Sequence, residues 1–197
     1  NGRSDLFNEL PLSPDGYEQL YAYPLENPIR IDGKNNDWED VLDFNSGFGN
    51  LDLPEDEISD LNQFYLVLGE HKGLVYALVQ VKDDSLVFRD RNILRLDLSD
   101  HIRVTFTGQD GEVHKLVITT TAPGVTTAYL MDDDWRFAIQ GEPENRVPGF
   151  MTKTDDGYSV EFRIPLELLG STKHFGLAVV DVANSETRAI ESITGTL

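Results

Sequence analysis

What most constrains this chain is a rhythm. From about residue 61 onward, apolar residues rich in β-branched and aromatic types alternate with polar ones, and turn signals interrupt them at roughly 8–12-residue intervals. Residues 61–70 and 73–82 flank His71-Lys72 as a hairpin. Ile102, Val104 and Phe106 alternate with His101, Arg103, Thr105 and Thr107, and Asp110-Gly111 is a hairpin turn. Residues 112–121, 125–130, 136–140 and 147–154 continue as strands. In 157–164, Tyr158, Val160, Phe162 and Ile164 alternate with Ser159, Glu161 and Arg163, the pattern of a half-buried strand. A last hairpin spans 175–182 and 187–194. Helix is confined to two short pieces, residues 38–44 behind an Asn36 or Asp37 cap, and one turn from Pro165 to Gly170. Strands and helices do not alternate, which disfavours a parallel sheet. The expected fold is all-β, an antiparallel β-sandwich of about ten strands with two short helical turns.

The segment 73–81 says more. Val75, Ala77, Val79 and Val81 make one apolar face, and Leu74, Tyr76 and Leu78 make another. A sandwich strand ordinarily has one wet face, so the second face needs a cover: the N-terminal arm, a loop or a partner chain. The arm is read as residues 1–19, polar and broken by Pro11, Pro14 and Gly16, ahead of a single domain over 20–197. Residues 1–27 are the expected cover.

Charge narrows the function. There are 35 acidic and 16 basic residues, net −19, and ten of the acids lie between Asp32 and Asp60 with Lys34 the single base among them. Such a field repels nucleic acid and favours a neutral or cationic ligand. The chain has no cysteine, so thiol catalysis, thiolate metal sites and disulfides are out. No apolar run reaches membrane-span length. The chain opens on Asn1-Gly2-Arg3 and closes on Thr196-Leu197, and reads as a segment of a longer protein.

Four blocks carry a family resemblance. Ile31-Asp32-Gly33-Lys34 with Asp37-Trp38, then the stretch from Leu74 to Asp84, then Asp100-His101-Ile102-Arg103-Val104, and finally residues 157–165 with Leu168-Leu169-Gly170 and Phe175-Gly176-Leu177 fall in the order seen in carbohydrate-binding modules of family 9 and DOMON-like sandwiches. The resemblance covers 28–184 and implies a non-catalytic binding sandwich. Two positions depart from it: Arg103 stands where that family has a carboxylate, and Leu166 where an aromatic often follows Ile-Pro. A second resemblance, over Arg3-Ser4-Asp5-Leu6-Phe7, residues 20–25, 28–33 and Asp37-Trp38, is to membrane histidine kinases of marine proteobacteria associated with a dedicated sortase system. It implies an extracytoplasmic (periplasmic) sensor domain in an inner-membrane, two-component signalling protein, possible as a homodimer. The alternatives are a carbohydrate-binding module of a secreted or surface enzyme and a haem-carrying DOMON-type domain.

The candidate ligand site is the tip 129–136. Trp135 is the stacking platform, with Tyr129, Asp133 and Arg136 as polar partners, since this is the one short stretch that combines an indole, three carboxylates and a guanidinium. Trp38 is read instead as an anchor for the short helix. Asp83-Asp84 and Asp132-Asp133-Asp134 lack the calcium-loop pattern D-x-[DN]-x-[DN]-G and are read as solvated turns. His71, His101, His114 and His174 form no ligand pair, and Met131 or Met151 would be needed for haem. No catalytic residue, metal or cofactor is expected, and the partner is an unknown small molecule or glycan.

Overall fold

A computed structural model describes residues 20–48, 63–170 and 175–196. The expected arm, residues 1–19, and His174 lie outside the described residues. Eleven strands follow in chain order: β1 (Ala22–Pro24), β2 (Ser46–Phe48), β3 (Gln63–His71), β4 (Leu74–Lys82), β5 (His101–Thr107), β6 (Val113–Thr119), β7 (Gly124–Leu130), β8 (Gly149–Thr154), β9 (Gly157–Pro165), β10 (Phe175–Val182) and β11 (Ile190–Thr196). They form one curled sheet in the order β1-β3-β4-β9-β8-β7-β6-β5-β10-β11, with β2 also paired to β3. All named pairings are antiparallel except β1 on β3. Strand β7 pairs with β6 through its second half and with β8 through its first, so the sheet folds over there and its halves face each other.

The main core lies between those halves. Phe64, Leu66, Ala77, Val79, Val160 and Phe162 come from β3, β4 and β9. Ile102, Val104, Leu116, Ile118, Leu177 and Val179 come from β5, β6 and β10. The period-2 alternation read along β4, β5 and β9 is what puts these side chains inward together.

The second face of β4 has the cover its sequence demands. Tyr76 and Leu78, with Val67 of β3, pack on Ile29, Trp38 and Val41, while Tyr23, Leu25, Ile31, Leu42 and Leu74 border them. Among the described residues the cover thus runs from about residue 23 to 42, of which 23–27 fall within the expected 1–27. It also corrects the reading of β9 as half-buried, because Ser159 and Glu161 on that face are buried as well.

Two local expectations change. Residues 38–44 are not one capped helix: two 3-10 turns, Asn35–Trp38 and Leu42–Phe44, stand there, and Lys34 precedes the first with no side-chain cap. Residues 136–140 form a single bridge, Met131 to Ala138, rather than a strand.

Candidate functional site

On the outer side of β5, β6 and β7, register sets Arg103 beside Val117 and Val117 beside Tyr129. The connection 83–100 and the tip beyond β7 fold over this face. Arg89 N–H donates to Thr120 O (3.0 Å) and Leu96 N–H to Arg136 O (2.9 Å). A small second-layer core results: Leu96, Val117 and Met131 are buried, with Tyr129, Trp135 and Ala138 packed against them.

The tip is built by its first aspartate. Asp132 O accepts from Trp135 N–H (3.2 Å), and Asp132 Oδ1 accepts from Arg136 N–H (2.7 Å). This turn holds Trp135 at φ +62, a left-handed conformation that costs a bulky L-residue about 1–2 kcal/mol. The half-buried indole lies above two cations, with the Arg103 guanidinium 4.9 Å and Lys115 Nζ 5.7 Å from its centroid.

Of the four residues expected to form the site, Trp135 and Tyr129 share one cluster. Asp133 joins through Lys115, whose Nζ donates to Asp133 O (2.7 Å) and Oδ1 (3.3 Å). Arg136 contributes its backbone, and its side chain is exposed. Tyr129 has its own cation: Arg89 Nη1 donates to the hydroxyl at 2.8 Å, with the guanidinium carbon 4.9 Å from the ring centroid.

The residues that sequence reasoning missed are Arg89, His101, Arg103 and Lys115. Arg103, a polar member of the alternation along β5, is buried. Its Nε–H donates to His101 Nε2 (3.1 Å), and His101 Nδ1–H donates to Ser99 O (2.6 Å). Both ring nitrogens are thereby used by a neutral imidazole, the tautomer this network requires. Burial, with a smaller effect from Arg103, pulls the His101 pKa down to about 4. Nearby, Arg95 grips Asp97 with two bonds, 3.0 and 2.6 Å. The signal for this layer was the departure of Arg103 from the family's carboxylate.

The short segment around Trp38 is structural. Glu161 Oε2 accepts from Asp32 N–H (3.0 Å) and Gly33 N–H (2.6 Å), and Oε1 accepts from Trp38 Nε1–H (2.8 Å). Gly33 sits at φ +79, and a Cβ there would meet the Phe150 ring at 2.7 Å. The Ile31-Asp32-Gly33 and Trp38 pattern is therefore the seat of Glu161. Both methionines pack in apolar clusters, Met131 in the outer layer and Met151 in the main core.

No family model matches the sequence, and no curated protein does. Among solved structures the chain is similar to a carbohydrate binding module family 9 (CBM9) from Caldicellulosiruptor kristjanssonii in complex with cellotriose, at 15% identity over 88% of this chain and 81% of that one, TM-score 0.54. A second structure, a CBM9 from the same organism in complex with glucose, matches at 15% identity over 89% and 83%, TM-score 0.52. At this identity the likeness establishes the fold.

Proposed function

We infer that this domain is a non-catalytic glycan-binding module whose binding face is centred on Trp135. The observation that carries the reading is the strained, half-buried indole held over the outer face of β5 and β6. Strain of this kind is retained where a side chain must be presented in one pose. An indole face stacks on the C–H face of a pyranose, and the half-buried Lys115 and Tyr129 at its margin offer donors for its hydroxyls. Arg103 and Lys115 already hold the cation–π position at the ring, so a cationic ligand gains little there and a neutral sugar fits better. Three carboxylates around the face are engaged, Asp97 by Arg95, Asp133 by Lys115 and Asp132 by a backbone amide, while Asp134 is exposed at the tip. The solved sandwiches of like fold, complexed with cellotriose and glucose, add support.

A finer assignment, to the extracytoplasmic part of a membrane histidine kinase, rests on the sequence pattern between Arg3 and Trp38. Within that pattern Asp32, Gly33 and Trp38 are accounted for by the Glu161 seat, so they weigh for the fold rather than for a kinase. The flanking gene sequence decides this point: membrane helices and a kinase core support it, and a glycosidase neighbour replaces it with a module of a secreted enzyme.

The binding reading is tested by calorimetric titration with glucose and cellotriose and by a glycan array. Trp135→Ala is expected to weaken binding about five- to tenfold, since stacking contributes on the order of 1 kcal/mol. Its far-ultraviolet dichroism should be unchanged. Equal affinity in the variant, or no glycan bound by the intact domain, overturns the assignment.

A further inference from the structure

We propose that the glycan taken by this face is an acidic one, a pyranose carrying a carboxylate or sulfate group, with Arg89 reading the charge beside the Trp135 platform. The inference rests on the glycan-binding reading above and names the class of sugar.

Bases are scarce in this chain, 16 against 35 acids. Yet Arg89, Arg95, Arg103 and Lys115 all stand on or beside the outer face of β5, β6 and β7. Two of them are short of counter-charge, since among the described residues no carboxylate forms an ion pair with Arg89 or Arg103. Arg103 is buried and its Nε–H meets a neutral imidazole, and the acid whose charge reaches it, Asp97, is held by Arg95. Burial lowers the Arg103 pKa from its ordinary value, as befits a cation with too little negative charge around it.

Arg89 is the more accessible of the two, half-buried where Arg103 is buried. Its Nη1 donates to the Tyr129 hydroxyl at 2.8 Å, and its guanidinium carbon lies 4.9 Å from that ring's centroid. Neither contact neutralises it. Its Nε is buried with no hydrogen-bond partner, and a charged group with an unmet donor is left in deficit. The next base, Arg91, is exposed, and its Nε and Nη2 reach only a hydroxyl, Thr121 Oγ1, at 3.3 and 3.1 Å. Asp90, between the two arginines, turns to Asn92, accepting from its N–H at 2.9 Å and its Nδ2 at 3.0 Å.

The register puts these cations where a stacked sugar would meet them. Arg103 and Tyr129 flank Val117 on neighbouring strands, so their Cα atoms are two strand spacings, about 10 Å, apart. Each belongs to an arginine–aromatic pair, Trp135 with Arg103 and Tyr129 with Arg89. Both rings pack on Leu96, Val117 and Met131. A pyranose stacked on the indole therefore has Arg89 at its margin. A guanidinium presents several N–H donors in one plane, the shape that oxyanions take best.

The net charge of −19 does not overrule this arrangement. At physiological salt the Debye length is about 8 Å. The described acids of residues 32–43 belong to the layer that covers β4, on the other outer face of the sandwich, and the two sheets alone are about 10 Å apart. Asp133 and Asp134 are nearer, but both are exposed at the tip, where water screens them, and Asp133 is paired with Lys115. The field of the whole chain favours neutral or cationic ligands, and at this face the charges within a Debye length outweigh it.

The test titrates the full 197-residue chain by calorimetry with three sugars of equal length: cellotriose, tri-galacturonate and an O-sulfated galactose trisaccharide. Near neutral pH and at about 50 mM salt, an acidic sugar is expected to bind about tenfold tighter than cellotriose, and the advantage should shrink at about 300 mM. Which acidic sugar binds tells carboxylate from sulfate. Arg89→Gln should lower the acidic-over-neutral ratio about fivefold, and Arg89→Lys should keep most of it, with dichroism confirming that both fold. Arg91→Gln, on the surface, gives a second reading and should lower the ratio about twofold. Cellotriose bound as tightly as both acidic sugars overturns the proposal and leaves the glycan-binding module standing. An acidic advantage that Arg89→Gln and Arg91→Gln both leave intact also overturns it, because the anion then binds elsewhere on the chain. If none of the three sugars binds and no glycan on the array does, the reading beneath the proposal falls with it.

Discussion

Arg103 and His101 show how a residue that breaks a family pattern can be explained by its neighbours. A buried guanidinium needs an acceptor, and here it is a neutral imidazole ring rather than a carboxylate. The ring can accept only while unprotonated, so the support beneath Trp135 depends on His101 staying neutral. Its folded pKa of about 4 lies below the usual 6.5. Between those values the unfolded chain binds the extra proton, so the stability this group contributes is complete above pH 6.5 and is lost as pH falls through 4. The full shift corresponds to about 3 kcal/mol. Asp100 and Asp181, with raised values, contribute in the opposite sense over the same range and blur a bulk denaturation curve. The clean measurement is therefore the imidazole carbon resonance of His101, expected to titrate near pH 4. A midpoint at 6 or above rejects the neutral buried ring. From sequence, Trp135 was legible as the centre of the candidate site because it stands among charged residues at a tip. Arg103 and Lys115 were not, because the tip that folds over them is brought there by strand register rather than by sequence neighbourhood.

At the scale of elements, β4 was the most legible segment, since two apolar faces on one strand require layers on both sides. Which residues form the outer layer was less legible. The segment 23–42 carries Trp38, and its shape is set by Glu161 of β9, far along the chain. Local rules suggested a capped helix there. Two 3-10 turns form instead, just after the amides of Asp32 and Gly33, which are claimed by a carboxylate from another strand. Burial raises the Glu161 pKa while these three hydrogen bonds pull it down, so the bonds are what make a buried carboxylate tolerable. Two substitutions separate packing from hydrogen bonding. Trp38→Phe keeps most of the buried ring but strands Glu161 Oε1, and should cost about 1–3 kcal/mol in urea unfolding. Trp38→Ala also opens a cavity under β4 and should cost about 3–5 kcal/mol. A Phe variant as stable as the parent would show that the indole N–H is dispensable to the seat.

For the whole molecule, turn spacing and alternation were enough to indicate a sandwich, but not how its strands are ordered. Strand β4 pairs with β3, its hairpin partner, and with β9, joining Val79 to Val160. Such long-range pairing has no local signal, because loop closure is compensated only when the opposite half of the core arrives. The order leaves unequal strands. β4 is flanked on both sides and packed on both faces, while among the described residues β11 ends the sheet and exposes Ile190 and Ile193. An edge strand with one paired side and apolar residues in the open is a place where a second chain can dock. The same chain carries a net charge of −19, which opposes self-association at low salt. Charge repulsion acts over a Debye length of about 10 Å at 0.1 M salt, farther than the contact needed to pair two edges. We therefore expect the domain to be monomeric at micromolar concentration and low salt, with hydrogen exchange slowest in β3, β4 and β9. Alternate amides of β11, those turned away from β10, should exchange fastest among the strands. If all β11 amides are as protected as those of β4, and protection falls on dilution, the edge is paired with another copy and the monomer expectation is wrong.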